Sequence, residues 1–274
     1  MSGDEAISPT AHYTGHVWVR AGISHPELAT AQGKALYELM APANALSRAM
    51  GGPTLESYLL ARHRAIDALL TTAIEEGAVT QVLEIAAGLS PRGWRFVSRY
   101  GAGLTYVEAD LPGMAGRKRR ALDRMGSLGP GHRVAELDAL RPGSFDDVAG
   151  ELDPEGGLAV ITEGLLGYLS TPDVLGLWAR IASAVKNFDG GRYFSDLHLG
   201  GVQTPAVRAF RVALSAFVRG RVQLHFEDAQ AAREALLDAG FASAHVRRAT
   251  ELIGGIPPRD HGADLVRIIE ASTT

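Results

Sequence analysis

The sequence predicts an α/β fold with a mostly parallel sheet, and two observations carry this prediction. From about residue 77 onward, short apolar runs alternate with helical stretches of about ten to fifteen residues, a pattern typical of βαβ units with helices on both faces of a sheet. Hydrophobic residues make up 46% of the 274 residues, enough to bury a sizeable core in one large domain or two small ones.

The residues before position 77 are predicted to be helical. Apolar residues at helical spacing indicate one helix over 27–40 and a longer one over 55–76, which Thr54 can cap. We therefore expect a helical lid or arm over residues 1–76 and a core over residues 77–274, joined in one continuous globular unit.

Seven strands are expected in the core. They cover residues 79–86, 104–109, 132–137, 157–162, 192–197, 241–247 and 264–269, with helices predicted at 90–100, 111–125, 172–186 and 227–239. An amphipathic segment at 203–221 lies between the fifth strand and the last helix. In a fold of this class it would roof the substrate pocket, although a dimer face or simple core packing explains it equally well.

Composition excludes several classes of protein. The net charge is −4, which is not typical of a nucleic-acid binder, and the basic run at 117–120 is interpreted as a solvated helix face. There are no cysteines, so disulfides and thiolate metal sites are excluded, and among the histidines other than His12 and His198 no HxxxH or HxH pair suggests a metal site. No signal peptide and no apolar run of about 18 residues is visible, so we expect a cytoplasmic protein with no membrane partner.

Acidic residues stand at or near the end of each of the first five predicted strands. The carboxyl ends of parallel strands share one edge of the sheet, and ligands bind outside that edge. Any single acid could merely cap the helix that follows, but together they would line one edge. These acids are Glu84, Glu108, Asp110, Glu136, Asp138, Glu163 and Asp196.

The turn after the first strand favours one ligand over another. Residues 84–93 (EIAAGLSPRG) match neither GxGxxG nor a Walker loop, and Gly88 is the one glycine in the tight part of the turn. A pyrophosphate needs several bare backbone amides. S-adenosylmethionine has no phosphate, and its ribose diol, adenine amino group and ammonium suit carboxylates. The pattern therefore fits S-adenosylmethionine better than NAD.

Three motifs carry a resemblance to a known family. Residues 82–93 (VLEIAAGLSPRG), 106–112 (YVEADLP) and 158–170 (LAVITEGLLGYLS) resemble the leucine carboxyl methyltransferase family. Together with residues 7–26, they are most similar to its bacterial branch of polyketide and other secondary-metabolite O-methyltransferases, the tetracenomycin type. The resemblance implies a class I, Rossmann-like methyltransferase fold with a mostly parallel seven-stranded sheet and an N-terminal helical lid.

The resemblance also implies roles for the residues at the strand ends. Gly88 falls in the cofactor turn, with Ala86 at a position where many members have glycine. Asp110 matches the acid that binds the ribose, with Glu108 as the alternative. The adenine-contacting segment matches Glu136 and Leu137, or Asp138. Near the amino-acid end of the cofactor lies Glu163, while Tyr168 lines the transfer site and Glu84 completes the set of cofactor-binding acids.

Arg62 lies in phase with the apolar stripe of the long predicted helix. A guanidinium turned toward a core must be paired. Either it forms a structural pair with an acid such as Glu84 or it clamps the cofactor carboxylate, the role that the resemblance favours; Arg64 is the neighbouring candidate. Candidates on the acceptor side are Tyr13, or His12, in the N-terminal arm and His198 after the fifth strand, where a general base could reach a hydroxyl.

The predicted function is methyl transfer from S-adenosylmethionine to a carboxylate or hydroxyl of a small-molecule acceptor, leaving S-adenosylhomocysteine and using no metal. A homodimer is compatible with the sequence. Two alternatives stay open: a non-catalytic protein that binds S-adenosylmethionine or S-adenosylhomocysteine, and an NAD-dependent oxidoreductase.

Overall fold

A seven-stranded sheet forms the centre of the computed structural model, which describes residues 9–201, 223–254 and 262–274. The strands are β1 (Gln81–Ile85), β2 (Thr105–Asp110), β3 (His132–Glu136), β4 (Leu158–Thr162), β5 (Gly191–Leu197), β6 (Ser243–Arg248) and β7 (Arg267–Ser272). Their order is β3-β2-β1-β4-β5-β7-β6, and β1 to β5 are parallel. β7 is antiparallel to both of its neighbours. This confirms the predicted mostly parallel sheet of seven strands.

Helices cover both faces of this sheet. They are α1 (Pro9–Arg20), α2 (Ala31–Ala49), α3 (Leu55–Glu75), α4 (Arg92–Tyr100), α5 (Pro112–Arg124), α6 (Ser144–Ala149), α7 (Thr171–Val185), α8 (Ala229–Asp238) and α9 (Ala249–Leu252). α3 confirms the long predicted helix, and the Thr54 side chain caps it by accepting from the Ser57 N–H. The prediction for α2 was wrong by several residues at both ends, because Thr30 caps the helix at a later start and it continues past Pro42.

The alternation of side chains along the strands separates two layers of core. Leu83 of β1 and Val107 of β2 pack with α7 and α8 on one face. Val82 and Tyr106 pack with α3 and α4 on the other. Because strand side chains alternate with a period of two, the acids that follow Val82 and Tyr106 by two positions point to the α3 and α4 face.

The last predicted strand is shifted along the chain, and one predicted segment is not described. The last strand runs from Arg267 to Ser272, three residues later than predicted, because residues 263–265 form a 3₁₀ turn. The amphipathic segment at 203–221 lies outside the described residues. Among the helices that the structure describes, none is both long and apolar enough to cross a membrane.

Candidate functional site

The turn after β1 has an unusual backbone that fixes a carboxylate of β2. Ala86 and Gly88 both have left-handed φ angles, 54° and 53°. This geometry aims the Gly88 N–H at Asp110 Oδ2, to which it donates at 2.7 Å, while the Leu111 N–H donates to Oδ1 at 2.8 Å. Asp110 ends β2 and is partly exposed. The turn and the carboxylate thus hold each other in place at the carboxyl edge of the sheet.

Two acids predicted to bind the cofactor lie one layer deeper. Glu84 and Glu108 are each 1% exposed, beneath α3 and α4. Glu84 accepts from Arg92 Nη1 at 2.5 Å and from the Tyr106 hydroxyl at 2.7 Å. Glu108 lies 3.0 Å from Lys118 Nζ. Both carboxylates therefore have cationic partners within the protein.

Arg92 is the centre of a buried network that was not predicted from the sequence. Its side chain is completely buried and meets three carboxylates from three different parts of the fold. Nε donates to Asp67 of α3 at 2.6 Å, Nη1 to Glu84 of β1 at 2.5 Å, and Nη2 to Glu163, just after β4, at 2.5 Å. His63 joins the network, with Nδ1 2.9 Å from Glu163 Oε2 and Nε2 3.7 Å from Asp67 Oδ2. Its ring also contacts Trp18 of α1, with centroids 4.7 Å apart.

The pKa values of the acids in this network are shifted in opposite directions. Burial alone would raise the pKa of Glu163, but His63 and the two neighbouring arginines hold it far below its ordinary value of 4.5. Burial acts the same way on Asp67, and His63 and Arg92 again lower its pKa. Glu84 is the exception, because the burial that raises its pKa outweighs the attraction of Arg92.

Arg62 lies beside this network, where α3 passes the ends of β4 and β5. Nε donates to Glu163 Oε1 at 3.0 Å, and Nη1 lies 3.5 Å from Asp196 Oδ2. Its acidic neighbours are therefore Glu163 and Asp196 rather than Glu84. Gly164 makes room for it: a Cβ on that glycine would lie 2.9 Å from Arg62 Nη2. Asp196 is fixed in turn by the Gly164 N–H, which donates to Oδ1 at 2.6 Å.

The end of β3 offers two exposed acids on either side of a buried leucine. Glu136 pairs in register with Asp110, so it lies at the same edge. Leu137 is buried in the core, and its N–H donates to the Asp110 carbonyl at 2.9 Å. Asp138 is exposed, and Oδ1 accepts from the Leu140 N–H at 2.9 Å. The adenine-contacting candidates are thus adjacent to the ribose candidate.

The three acceptor-side candidates have different surroundings. Tyr13 is completely buried, its hydroxyl accepts from Asn44 at 3.0 Å, and burial raises its pKa to about 12. Tyr168 is 46% exposed on a 3₁₀ turn after β4. His198, partly buried after β5, makes a hydrogen bond through Nε2 with the hydroxyl of Tyr58. His198 thus has a contact with α3, the helix that carries Arg62.

Arg92, His63 and Asp67 had weak signals in the sequence. His63 and Asp67 are four residues apart on a helix whose buried side is apolar apart from them, Tyr58 and Arg62, which is the one local hint. Arg92 sits within the turn motif, but its partners lie 8, 25 and 71 residues away. Within the described part of the chain, no group of three or more His, Asp or Glu side chains is arranged to hold a metal ion.

Comparisons with known proteins bear on the family and the fold. A family model described as leucine carboxyl methyltransferase matches residues 23–182. The sequence has no significant match among curated proteins. Among solved structures, a DUF574 family protein from Streptomyces avermitilis is similar over 97% of both chains, with a TM-score of 0.66 at 15% identity.

Two larger structures are also similar. An O-methyltransferase family protein from Burkholderia thailandensis has a TM-score of 0.54 at 16% identity, over 89% of this chain and 60% of the other. Human N-acetylserotonin methyltransferase, solved in complex with SAM, has a TM-score of 0.51 at 15% identity, over 96% of this chain and 64% of the other. This chain thus spans less than two thirds of either protein. At such identities the likeness shows the fold, which is that of the class I methyltransferases.

Proposed function

The chain belongs to the leucine carboxyl methyltransferase family, whose methyl donor is S-adenosylmethionine, and from this premise we propose that it methylates an oxygen of a small molecule. The oxygen belongs to a carboxylate or a hydroxyl. The resemblance of the sequence to the bacterial secondary-metabolite branch supports an acceptor from that class of compounds.

The observation that carries this proposal is the position of Asp110. Two backbone N–H groups orient its carboxylate at the edge of the sheet, beside the left-handed turn of Ala86 and Gly88. A carboxylate has about four acceptor positions and can take both hydroxyls of a ribose at once. The neighbouring Glu136, Leu137 and Asp138 would then contact the adenine.

We assign the amino-acid end of the cofactor to the ends of β4 and β5, which lie on the opposite side of β1 from Asp110. A guanidinium presents five N–H donors in a fork that suits a carboxylate. Arg62 is held there by Glu163 and Asp196. Gly164 lies against the Arg62 guanidinium, in space that a side chain at position 164 would occupy. The donor set therefore fits a zwitterionic amino acid, with Arg62 for its carboxylate and the acids for its ammonium.

S-adenosylmethionine, when bound, supplies the sulfonium methyl group for an in-line displacement by the acceptor oxygen. The contribution of the protein is orientation and exclusion of water. A carboxylate acceptor is already ionised at pH 7 and needs no base. For a hydroxyl acceptor, His198 is the residue proposed to take the proton. α1 and α2 are proposed to close the site as part of the lid over residues 1–76, with Tyr13 and Tyr168 shaping the acceptor side.

Binding calorimetry tests the cofactor assignment. We expect S-adenosylhomocysteine to bind the wild type, NAD to bind at least about tenfold more weakly, and Asp110→Ala to lose about 1.5–3 kcal/mol of cofactor affinity, the range for a hydrogen bond to a charged group. Comparable affinity for NAD would reject the proposal. Binding without turnover on a panel of carboxylic acids and phenols would instead indicate a non-catalytic binding protein.

A further inference from the structure

Lys118 departs from the basic run in which it stands. Its neighbours Arg117, Arg119 and Arg120 are exposed on α5, as expected for a solvated face. Lys118 itself is 1% exposed, because it shares the buried side of α5 with Met114, Ala115, Ala121 and Leu122. A buried ammonium is costly unless it is paired and hydrogen-bonded, so its partners show what it does.

Two of those partners belong to the turn after β1, and the third belongs to β2. Lys118 Nζ donates to the Ser90 carbonyl at 2.5 Å and lies 3.4 Å from the Gly88 carbonyl. Its counter-ion is Glu108 of β2, with Nζ 3.0 Å from Oε2. One side chain thus ties α5 and β2 to two carbonyls of the turn.

We propose that Lys118 is a positioning residue for the cofactor, acting through Gly88 on Asp110; this inference rests on the proposed function. Gly88 is held at both of its peptide groups. Its carbonyl faces Lys118, and its N–H donates to Asp110 Oδ2 at 2.7 Å. Ser90, the second contact of Lys118, closes the same turn by donating its N–H to the Ala87 carbonyl. Loss of the Lys118 ammonium would leave the Gly88 and Ser90 carbonyls without this donor. The turn would then no longer hold the Asp110 carboxylate in its orientation.

Glu108 neutralises Lys118 in this arrangement. Burial alone would raise the pKa of Glu108, but Lys118 and His132 lower it. Gly93 of α4 lies so close that a Cβ there would be 2.3 Å from Glu108 Oε1. The Glu108 carboxylate is therefore enclosed behind the turn, where it is the counter-ion of Lys118 rather than a ligand of the ribose.

A simple ion pair that anchors α5 to β2 is the competing explanation. The two explanations differ in whether neutralising both residues would restore cofactor affinity together with stability. Removing Lys118 alone leaves a buried, uncompensated carboxylate, and removing both charges relieves that penalty. Neutralisation cannot replace the donor to the Gly88 and Ser90 carbonyls. Stability and cofactor affinity should therefore separate in the double variant.

The experiment compares Lys118→Met, Glu108→Gln and the double variant Lys118→Met/Glu108→Gln with the wild type. The dissociation constant of S-adenosylhomocysteine is measured by calorimetry and the melting temperature by circular dichroism. We expect Lys118→Met to weaken binding about tenfold or more, the effect of losing a charged hydrogen bond. The double variant should recover melting temperature but not affinity, and Glu108→Gln should weaken binding less than Lys118→Met.

A matched control is the Arg247–Glu270 ion pair between β6 and β7, at the opposite end of the sheet. Arg247→Met/Glu270→Gln should leave the affinity unchanged. Recovery of affinity in the Lys118 double variant would establish a purely structural ion pair and overturn the inference. So would a loss in Glu108→Gln as large as that in Lys118→Met. If the wild type does not bind S-adenosylhomocysteine, the proposed function fails instead. Should Lys118→Met not fold, the double variant and Glu108→Gln decide the question.

Discussion

At the scale of single residues, Ala86 has the least expected backbone. Among the described residues it is the one non-glycine residue with a positive φ, 54°. A side chain in this region costs about 1–2 kcal/mol, because Cβ approaches the following carbonyl oxygen. Strain of this kind is found where the surrounding structure enforces it, often at functional sites. The position of Ala86, beside the turn that orients Asp110, fits that description.

Ala86→Gly should therefore stabilise the protein. The substitution removes a backbone strain of about 1–2 kcal/mol. This gain is partly offset by the greater freedom of glycine in the unfolded chain, about 0.4–1 kcal/mol. We therefore expect the free energy of unfolding to increase by roughly 0.5–1 kcal/mol. Urea denaturation measures it. The adjacent Ala87 is buried and has no positive φ, so Ala87→Gly should destabilise. Equal losses in the two variants would contradict the role of the left-handed turn.

The sequence predicted which acids stand at the strand ends, but not how deep each one lies. Strand periodicity gives Glu84, Glu108 and Asp110 the same face. It does not show that Arg92 and Lys118 close over the first two and leave the third at the edge, since these contacts depend on how α4 and α5 pack. Ion pairs between residues far apart in the chain have no local signature.

At the scale of elements, Arg92 connects α4 with α3, β1 and the turn after β4. Its three carboxylate contacts are between 2.5 and 2.6 Å long. A planar guanidinium can meet three partners in fixed directions, whereas an ammonium is a point charge on a flexible stem. The network therefore depends on arginine at this position and sets how α3 lies across the strand ends.

Arg92→Met should cost about 3–5 kcal/mol of stability, because it leaves Asp67, Glu84 and Glu163 without their shared cation. Arg92→Lys should recover only part of this loss. The matched control is Arg95→Met on the same helix, which removes a partly exposed partner of Asp67 alone and should cost about 1 kcal/mol or less. Chemical denaturation of the three variants tests the prediction, and similar losses for Arg92→Met and Arg95→Met would refute it.

Helix α2 shows why some elements were harder to predict than others. α3 has an apolar stripe that packs on the sheet, and its bounds were predicted to within one residue. In the first half of α2, Leu36, Tyr37 and Met40 pack partly buried against the core, whereas Leu46 in its second half is exposed. Apolar periodicity reports a buried face, so it could not locate the end of a helix whose second half lacks one.

At the scale of the whole molecule, the alternating pattern was sufficient for the fold. Each predicted strand of the core corresponds to a strand of the sheet. The central strands β1 and β4 are buried along their whole length and therefore read as apolar runs. The buried charged residues and their pairing could not be predicted from this pattern. A net charge of −4 gives no indication that the interior contains several carboxylates with shifted pKa values.

The buried acids predict how stability depends on pH. The pKa of Glu163 is lowered in the folded state from its ordinary value of 4.5, because His63 and the two arginines stabilise the ionised form more than burial opposes it. Its contribution to stability is therefore fully present above about pH 4.5 and is lost as the pH falls toward the folded pKa. Asp67 and Glu108 act in the same direction. Glu84 opposes them, since its raised pKa costs stability as the pH increases through it.

Glu163→Gln isolates the contribution of one such acid. We expect the variant to be less stable than the wild type at pH 7, and the difference to shrink as the pH falls below about 4.5, because the wild type then loses what the variant already lacks. Urea denaturation at intervals between about pH 3 and 7 measures both curves. Glu155→Gln, at an exposed position before β4, is the control and should follow the wild type. A stability difference that stays constant across this range would mean that the ionisation of Glu163 does not stabilise the fold, and that its contacts with Arg62 and Arg92 act through shape alone.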